Sequence, residues 1–205
     1  MTTATNDAPV SRAKLRPEDL FSLEQYAKQR AQFRPGVLAH KQHRNLAIGP
    51  NATFCFEDRL TVQYQVQEML RIERIFESEG IADELAAYNP LIPDGANWKA
   101  TLLIEFPDPD VRKVALAGLK GVEDRSWVRV AGHEKVFAIA DEDLERENDE
   151  KTSAVHFVRY ELTPAMVAAA KSGAAISIGI DHPNYTHALD PLPRASRDSL
   201  VGDLA

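Results

Sequence analysis

Residues 61–79 read TVQYQVQEMLRIERIFESE, and the spacing inside them predicts a helix. Val62, Val66, Met69, Leu70 and Phe76 recur at the three- and four-residue separations that stack side chains on one helix face. Tyr64, Ile72 and Ile75 lie off that stripe, so the helix is expected to pack on more than one side and to be central to the fold. Glu73 falls within the stripe, four positions after Met69 and three before Phe76. A carboxylate there needs a partner or a proton. It either pairs with an arginine such as Arg59 or Arg159, tying helix to sheet, or acts as a metal ligand or acid/base group, with Glu77 one turn further on.

Downstream of this helix, residues 81–88 read as a short helix closed by Asn89 and Pro90. Residues 99–106 form a nearly continuous apolar run, the pattern of a buried strand, which Pro107 ends. A helix is expected over 108–119, stopping near Gly121, and strands over 126–130, 135–140 and 153–162, with 141–151 as an acidic, solvated connection. Thr163 and Pro164 open a helix that ends at Gly173, and 175–181 makes a last strand. Upstream, Gly49, Pro50 and Asn51 are turn residues between strands at 46–48 and 53–56. Pro17, Glu18 and Asp19 start a helix running toward Phe33, where Pro35 and Gly36 interrupt it before a second, basic helix over 37–44. The expected fold is a single α+β domain over 15–187, with a mixed or largely antiparallel sheet, a central buried helix and flanking helices. Residues 1–14 and 188–205 are expected to be flexible tails.

The composition limits the function classes. The chain has 205 residues and a formal net charge of -7, which argues against binding nucleic acid or an anionic membrane through the overall field. It has 1 Cys, Cys55, which suits a reducing compartment and implies a cytoplasmic protein with no iron-sulfur cluster of its own. In its apolar strand Cys55 reads as an inert buried thiol. No apolar run has the length of a membrane span or a signal peptide, and there is no phosphate loop, nucleophile elbow or paired-Cys motif.

The candidate chemistry therefore rests on His and acidic residues. In the strand over 153–162, His156, Val158 and Tyr160 share one face and Val155, Phe157, Arg159 and Glu161 the other, either of which suits the interior. In the last strand Ile176, Ile178 and Ile180 face one way, leaving Ser177, Gly179 and Asp181 as a small-residue surface suited to flooring a groove. Asp181, His182 and Tyr185 then gather at the strand end, in a turn fixed by Pro183. His156, Asp181 and His182 make a sensible first shell for a divalent metal, although their spacing matches no strong metal signature. Tyr185 or Arg159 would orient an anionic substrate, and Glu73 is the candidate catalytic acid. His40 and His43 are better read as a solvated basic face than as a metal pair.

Several motifs carry a family resemblance: Gln67-Glu68-Met69-Leu70-Arg71 with Glu73 and Arg74, Tyr88-Asn89 followed by Leu91-Ile92-Pro93, Ala100-Thr101-Leu102 with Ile104-Glu105, and Val155-His156-Phe157-Val158-Arg159. From about Leu15 to about Tyr185 the chain resembles a bacterial family known only as domain of unknown function 3501. The resemblance implies a redox or peroxide-defence setting, with rubrerythrin-like or iron-sulfur oxidoreductase proteins as partners. On that basis the expected function is an accessory or binding protein. The alternative, read from the residues, is a metal-dependent enzyme acting on a small anionic substrate. A homodimer is the expected assembly.

Overall fold

The computed structural model describes residues 12–144, 146–148 and 150–205, and most of the expected N-terminal tail lies outside them. Among the described residues the order begins with a 3-10 turn (Pro17–Asp19), α1 (Leu23–Lys41), β1 (Asn45–Ala47), β2 (Ala52–Phe56), α2 (Arg59–Glu73) and α3 (Ser78–Tyr88). It continues with β3 (Asn97–Ile104), α4 (Pro109–Gly118), β4 (Ser126–Val130), β5 (Val136–Phe137), β6 (Ile139–Ala140), β7 (Val155–Glu161), α5 (Pro164–Lys171), β8 (Ile176–His182), β9 (Tyr185–Leu189) and α6 (Arg194–Val201). The single expected sheet is two: β1-β2-β3-β7-β6 and β5-β4-β8-β9, with all the strand pairs antiparallel.

The two sheets share one apolar core. Phe54, Phe56, Trp98, Leu102 and Tyr160 of the first sheet belong to the same buried cluster as Val128, Ile176, Ile178 and Ile180 of the second. The Tyr160 and Ser126 hydroxyls meet at 2.8 Å between them. The Gly49 turn closes the hairpin at φ +70, and a Cβ there would lie 2.6 Å from the His187 ring. No described helix is long and apolar enough to cross a membrane.

Elsewhere the structure departs from expectation for local reasons. Residues 135–140 form two short strands rather than one: β5 pairs with β4 in the second sheet, while β6 pairs with β7 in the first. The helix opening at Pro17 is only a 3-10 turn, because Ser22 forms a capping box with Gln25 and starts α1 anew. That helix then runs through Pro35 and Gly36 to Lys41, absorbing the expected second helix. Ala31 and Pro35 are both exposed, so water can serve the carbonyl that the proline leaves without a donor.

In α2, Asp58 caps the start by accepting the Thr61 amide at 2.9 Å. Val62, Val66 and Leu70 are buried in a second cluster with Leu85 and Ile92. Tyr64 reaches Phe33 of α1, ring centroids 6.3 Å apart, so the helix does pack on a second side. It ends earlier than its periodicity suggests, because Arg74 turns left-handed at φ 56. Phe76 is then 70% exposed and Ile72 61% exposed.

The C-terminal segment is not a loose tail. Residues 185–189 form β9, α6 follows, and Leu192, Leu200 and Leu204 are buried in the shared core. Trp98 Nε1 donates to the Leu200 carbonyl at 2.8 Å. The described end of the N-terminal segment is also tied down, with Arg12 donating to the carbonyls of Asp203 and Leu204 and Lys14 Nζ to that of Ile92.

Candidate functional site

Strand β7 turns His156, Val158 and Tyr160 inward, and His156 is fully buried. Its neighbour Asp141 follows β6 with φ 48. The Asp141 amide donates to the Phe157 carbonyl at 2.8 Å, and its Oδ1 accepts the Phe157 amide at 2.9 Å. The strand ladder thus holds this carboxylate against the histidine, with Oδ2 2.6 Å from Nδ1. On the other side of the ring, Nε2 lies 3.1 Å from the Thr152 hydroxyl, 3.1 Å from the Ser153 carbonyl and 3.7 Å from Glu123 Oε2. Carboxylate oxygens thus stand on both sides of the ring, and the Thr152 hydroxyl, which can donate or accept, lies beside Nε2.

Glu123 sits in the turn before β4 and is 8% exposed. Its Oε2 is buried without a hydrogen-bond partner. Burial pushes its carboxyl above the usual range; His156 opposes that shift, while Asp124 and Glu147 add to it. Arg146 closes the outer side, with Nε 3.3 Å from Asp141 Oδ1, Nη2 2.7 Å from Asp143 and its guanidinium 4.6 Å from the Phe157 ring centroid. One ligand atom each from Glu123, Asp141 and His156 lies within 4.8 Å of the others, the one such group found among the described residues.

His156 therefore belongs to a cluster, but not the expected one. Asp181 accepts Trp127 Nε1 at 2.8 Å and Lys135 Nζ at 2.6 Å. Burial would raise its carboxyl, but these two hydrogen bonds hold it below its usual range. His182 Nε2 faces the Lys120 carbonyl at 3.1 Å, and its Nδ1 accepts the Asn184 amide at 3.2 Å. These partners make Asp181 and His182 parts of the strand end rather than co-ligands of His156. On the small-residue face of β8, a Cβ on Gly179 would lie 2.5 Å from the Trp127 ring, so that position is covered, while Ser177, which donates to Asp190 at 2.5 Å, borders a cleft with Arg129 and His133.

The residues expected to act on a substrate are similarly occupied. Tyr185 donates to the Ile48 carbonyl at 2.6 Å and accepts the Asn51 amide at 2.9 Å, pinning the first hairpin to β9. Arg159 makes two 2.8 Å bonds to Glu142 and also pairs with Glu161. Glu73 is exposed at the end of α2 and pairs with neither Arg59, which is 2.9 Å from Asp19, nor Arg159. His40 Nε2 meets the capping carboxylate of Asp58 at 2.5 Å. Burial pushes the Cys55 thiol up to about 11, consistent with an inert thiol.

Sequence reasoning missed Glu123 and misread Asp141. The acidic residue directly after a strand was the available signal for Asp141, whereas Glu123 reaches the site from a turn that shares no period with β7.

Fold and site together define an α+β protein of two antiparallel sheets with a buried His and two carboxylates at the end of the first sheet. The family model described as "Protein of unknown function (DUF3501)" matches residues 14–204, and the chain belongs to this family. The match extends past Tyr185 through the C-terminal helix, in keeping with its place in the core. The chain is also similar to a crystal structure of a protein of unknown function from Burkholderia pseudomallei K96243, with 50% identity and a TM-score of 0.89 over 94% of this chain and 100% of that one. No curated protein matches.

Proposed function

We propose that the protein binds a divalent transition-metal ion through Glu123, Asp141 and His156. The observation that carries this reading is the buried, unpartnered Glu123 Oε2 beside a histidine with carboxylate oxygens on both sides of its ring. A desolvated carboxylate oxygen without a donor is costly, and a cation shared with Asp141 and His156 removes that cost. One imidazole and two carboxylates form a mixed nitrogen and oxygen set, suited to zinc, manganese or ferrous iron rather than to a soft thiolate-seeking metal. The near-complete burial of the group favours a structural ion. A metal-dependent enzyme acting on a small anionic substrate would need one coordination position opened to solvent, and Arg146 is the cation placed to receive the anion there.

Metal analysis of protein purified without an affinity tag tests the reading. The expected result is about one equivalent of a transition metal, with a higher melting temperature than after chelation. Less than about a tenth of an equivalent, with no thermal shift on adding zinc, manganese or ferrous iron, would overturn it.

The redox accessory role rests on the family resemblance alone. Affinity capture from the native cell that retained a rubrerythrin-like or iron-sulfur protein would support it, and recovery of unrelated proteins only would count against it.

A further inference from the structure

The outer face of the first sheet, opposite His156, carries a cleft of about 270 Å³ between the sheet and the helical layer. Lys41 at the end of α1 and Glu57 just before α2 both line it, with Gln65 and Thr101 between the helices and the strand. Leu91 and Phe157 form an apolar wall that continues into a neighbouring cleft of about 220 Å³. Neither Lys41 nor Glu57 forms an ion pair with any described residue. Glu57 accepts only hydroxyl hydrogen bonds on its side chain, from Thr61 at 2.5 Å and Thr101 at 3.4 Å. Other charges nearby are spoken for: Lys99 donates to the Pro90 carbonyl at 2.6 Å, and Arg159 is held by Glu142.

A cleft with one cation and one carboxylate that make no direct ion pair complements a molecule with the opposite pair. We propose that it binds a small zwitterionic amino acid with an apolar side chain. The ligand's ammonium would meet Glu57, its carboxylate Lys41, and its side chain the Leu91 and Phe157 wall. The volume is below that of drug-sized sites, which suits a small metabolite. Electrostatics supports the ammonium end. Burial pushes the Glu57 carboxyl above its usual range, with Asp58 adding to the push and Thr61, Lys41 and Arg44 opposing it. A bound ammonium opposes that push. The cleft uses none of Glu123, Asp141 and His156, and His156 points to the opposite face of β7, although Phe157 borders both places.

Calorimetry and thermal melts on the full chain test the proposal in the presence of a chelator, so that loss of the metal reading leaves this result intact. The probes are L-phenylalanine, L-leucine, 2-phenylethylamine and 3-phenylpropionate, each at up to about 10 mM. Both amino acids should raise the melting temperature, and each single-charge analogue should bind at least about tenfold more weakly than L-phenylalanine. Glu57→Gln and Lys41→Met should each weaken L-phenylalanine by about tenfold or more, while Lys41→Met leaves the affinity for 2-phenylethylamine unreduced. Lys41 is only partly buried at a helix end, so that variant keeps the test sound if Glu57→Gln fails to fold. The proposal is overturned by the absence of any shift with the amino acids, by single-charge analogues that bind equally well, or by a Lys41→Met protein that binds L-phenylalanine unchanged.

Discussion

Arg44 Nη2 donates to Asp203 Oδ2 at 2.6 Å, joining the start of the first hairpin to the end of the chain, 159 positions away. Arg44 is 1% exposed and Asp203 2%. The same guanidinium donates to the Phe56 carbonyl at 3.0 Å and the Glu57 carbonyl at 2.9 Å, and lies 3.5 Å from Asp58. One buried side chain thus ties α6, β2 and the cap of α2 together. Removing one partner of such a pair leaves the other charge buried and poorly compensated. Asp203→Asn should cost on the order of 3 kcal/mol, read as a lower urea midpoint at unchanged slope. A loss below about 1 kcal/mol would show that the carbonyls and Asp58 satisfy Arg44 on their own.

Acid should weaken the fold through two carboxylates. Burial would raise Asp58, but the His40 hydrogen bond and the Arg44 charge carry it down to about 2, from 3.8. The Arg30 hydrogen bonds hold Glu68 at about 2, from 4.5, against partial burial. Both groups have folded values below their unfolded ones, so the unfolded chain binds more protons in between. Their stabilisation is complete above the unfolded values and is lost as pH falls through about 2. The acid-dependent loss of stability between pH 5 and pH 2 should be smaller in Asp58→Asn than in the wild type, and the variant should be less stable at neutral pH by about 2 kcal/mol. An Asp58→Asn loss equal to that of the wild type would rule out this origin.

What was legible in the sequence was what is local. The first hairpin shows itself in Gly49, Pro50 and Asn51 between two short apolar runs, and β3 in an apolar run ended by Pro107. The inward set of β7 needed only period two, once the burial of Val158 and Tyr160 had settled its face. What was not legible depends on backbone conformation or distance. The left-handed turn at Arg74 removes Phe76 from the stripe of α2, and no residue type forces it. The switch between sheets within residues 136–140 leaves the apolar pattern unbroken. The polar α6 resembles a tail, because its stability comes from packing Leu200 and Leu204 rather than from its own propensity. The candidate site joins a turn, a strand end and a strand, so no spacing rule could assemble it.

Glu123 gives opposite predictions with and without metal. In the metal-free protein one oxygen of its buried carboxylate, Oε2, has no donor, so Glu123→Gln should be neutral or stabilising by up to about 1 kcal/mol. Acidification acts in the same direction. The folded carboxyl lies above its unfolded value, so this group's share of stability rises as pH falls through the folded value and is lost as pH rises through it. With metal present the variant should lose most of the ion-dependent rise in melting temperature. His156→Ala should also lose it, but with an added cavity cost of a few kcal/mol that is independent of metal. Melts of the three proteins with and without chelator check the pattern, and equal metal-dependent shifts in the wild type and Glu123→Gln would remove Glu123 from the site.

Glu73 gives the last test, because its position in the apolar stripe suggested a buried acid and it is exposed instead. Its nearest consequence is for Glu84 on α3. Burial raises the Glu84 carboxyl and the charge of Glu73 raises it further, while Glu84 Oε2 lacks a hydrogen-bond partner. Removing the Glu73 charge therefore relieves a repulsion without opening a cavity. Glu73→Gln and Glu73→Leu should both stay within about 0.5 kcal/mol of the wild type, with Gln on the stabilising side. Glu73→Lys, which replaces repulsion by attraction across an exposed surface, should add a further few tenths of a kcal/mol and lose that gain at high salt. Metal content should be the same in all three variants. A destabilisation above about 1 kcal/mol in both Glu73→Gln and Glu73→Leu would mean that α2 continues past Arg74 in solution and carries Glu73 and Phe76 into the core.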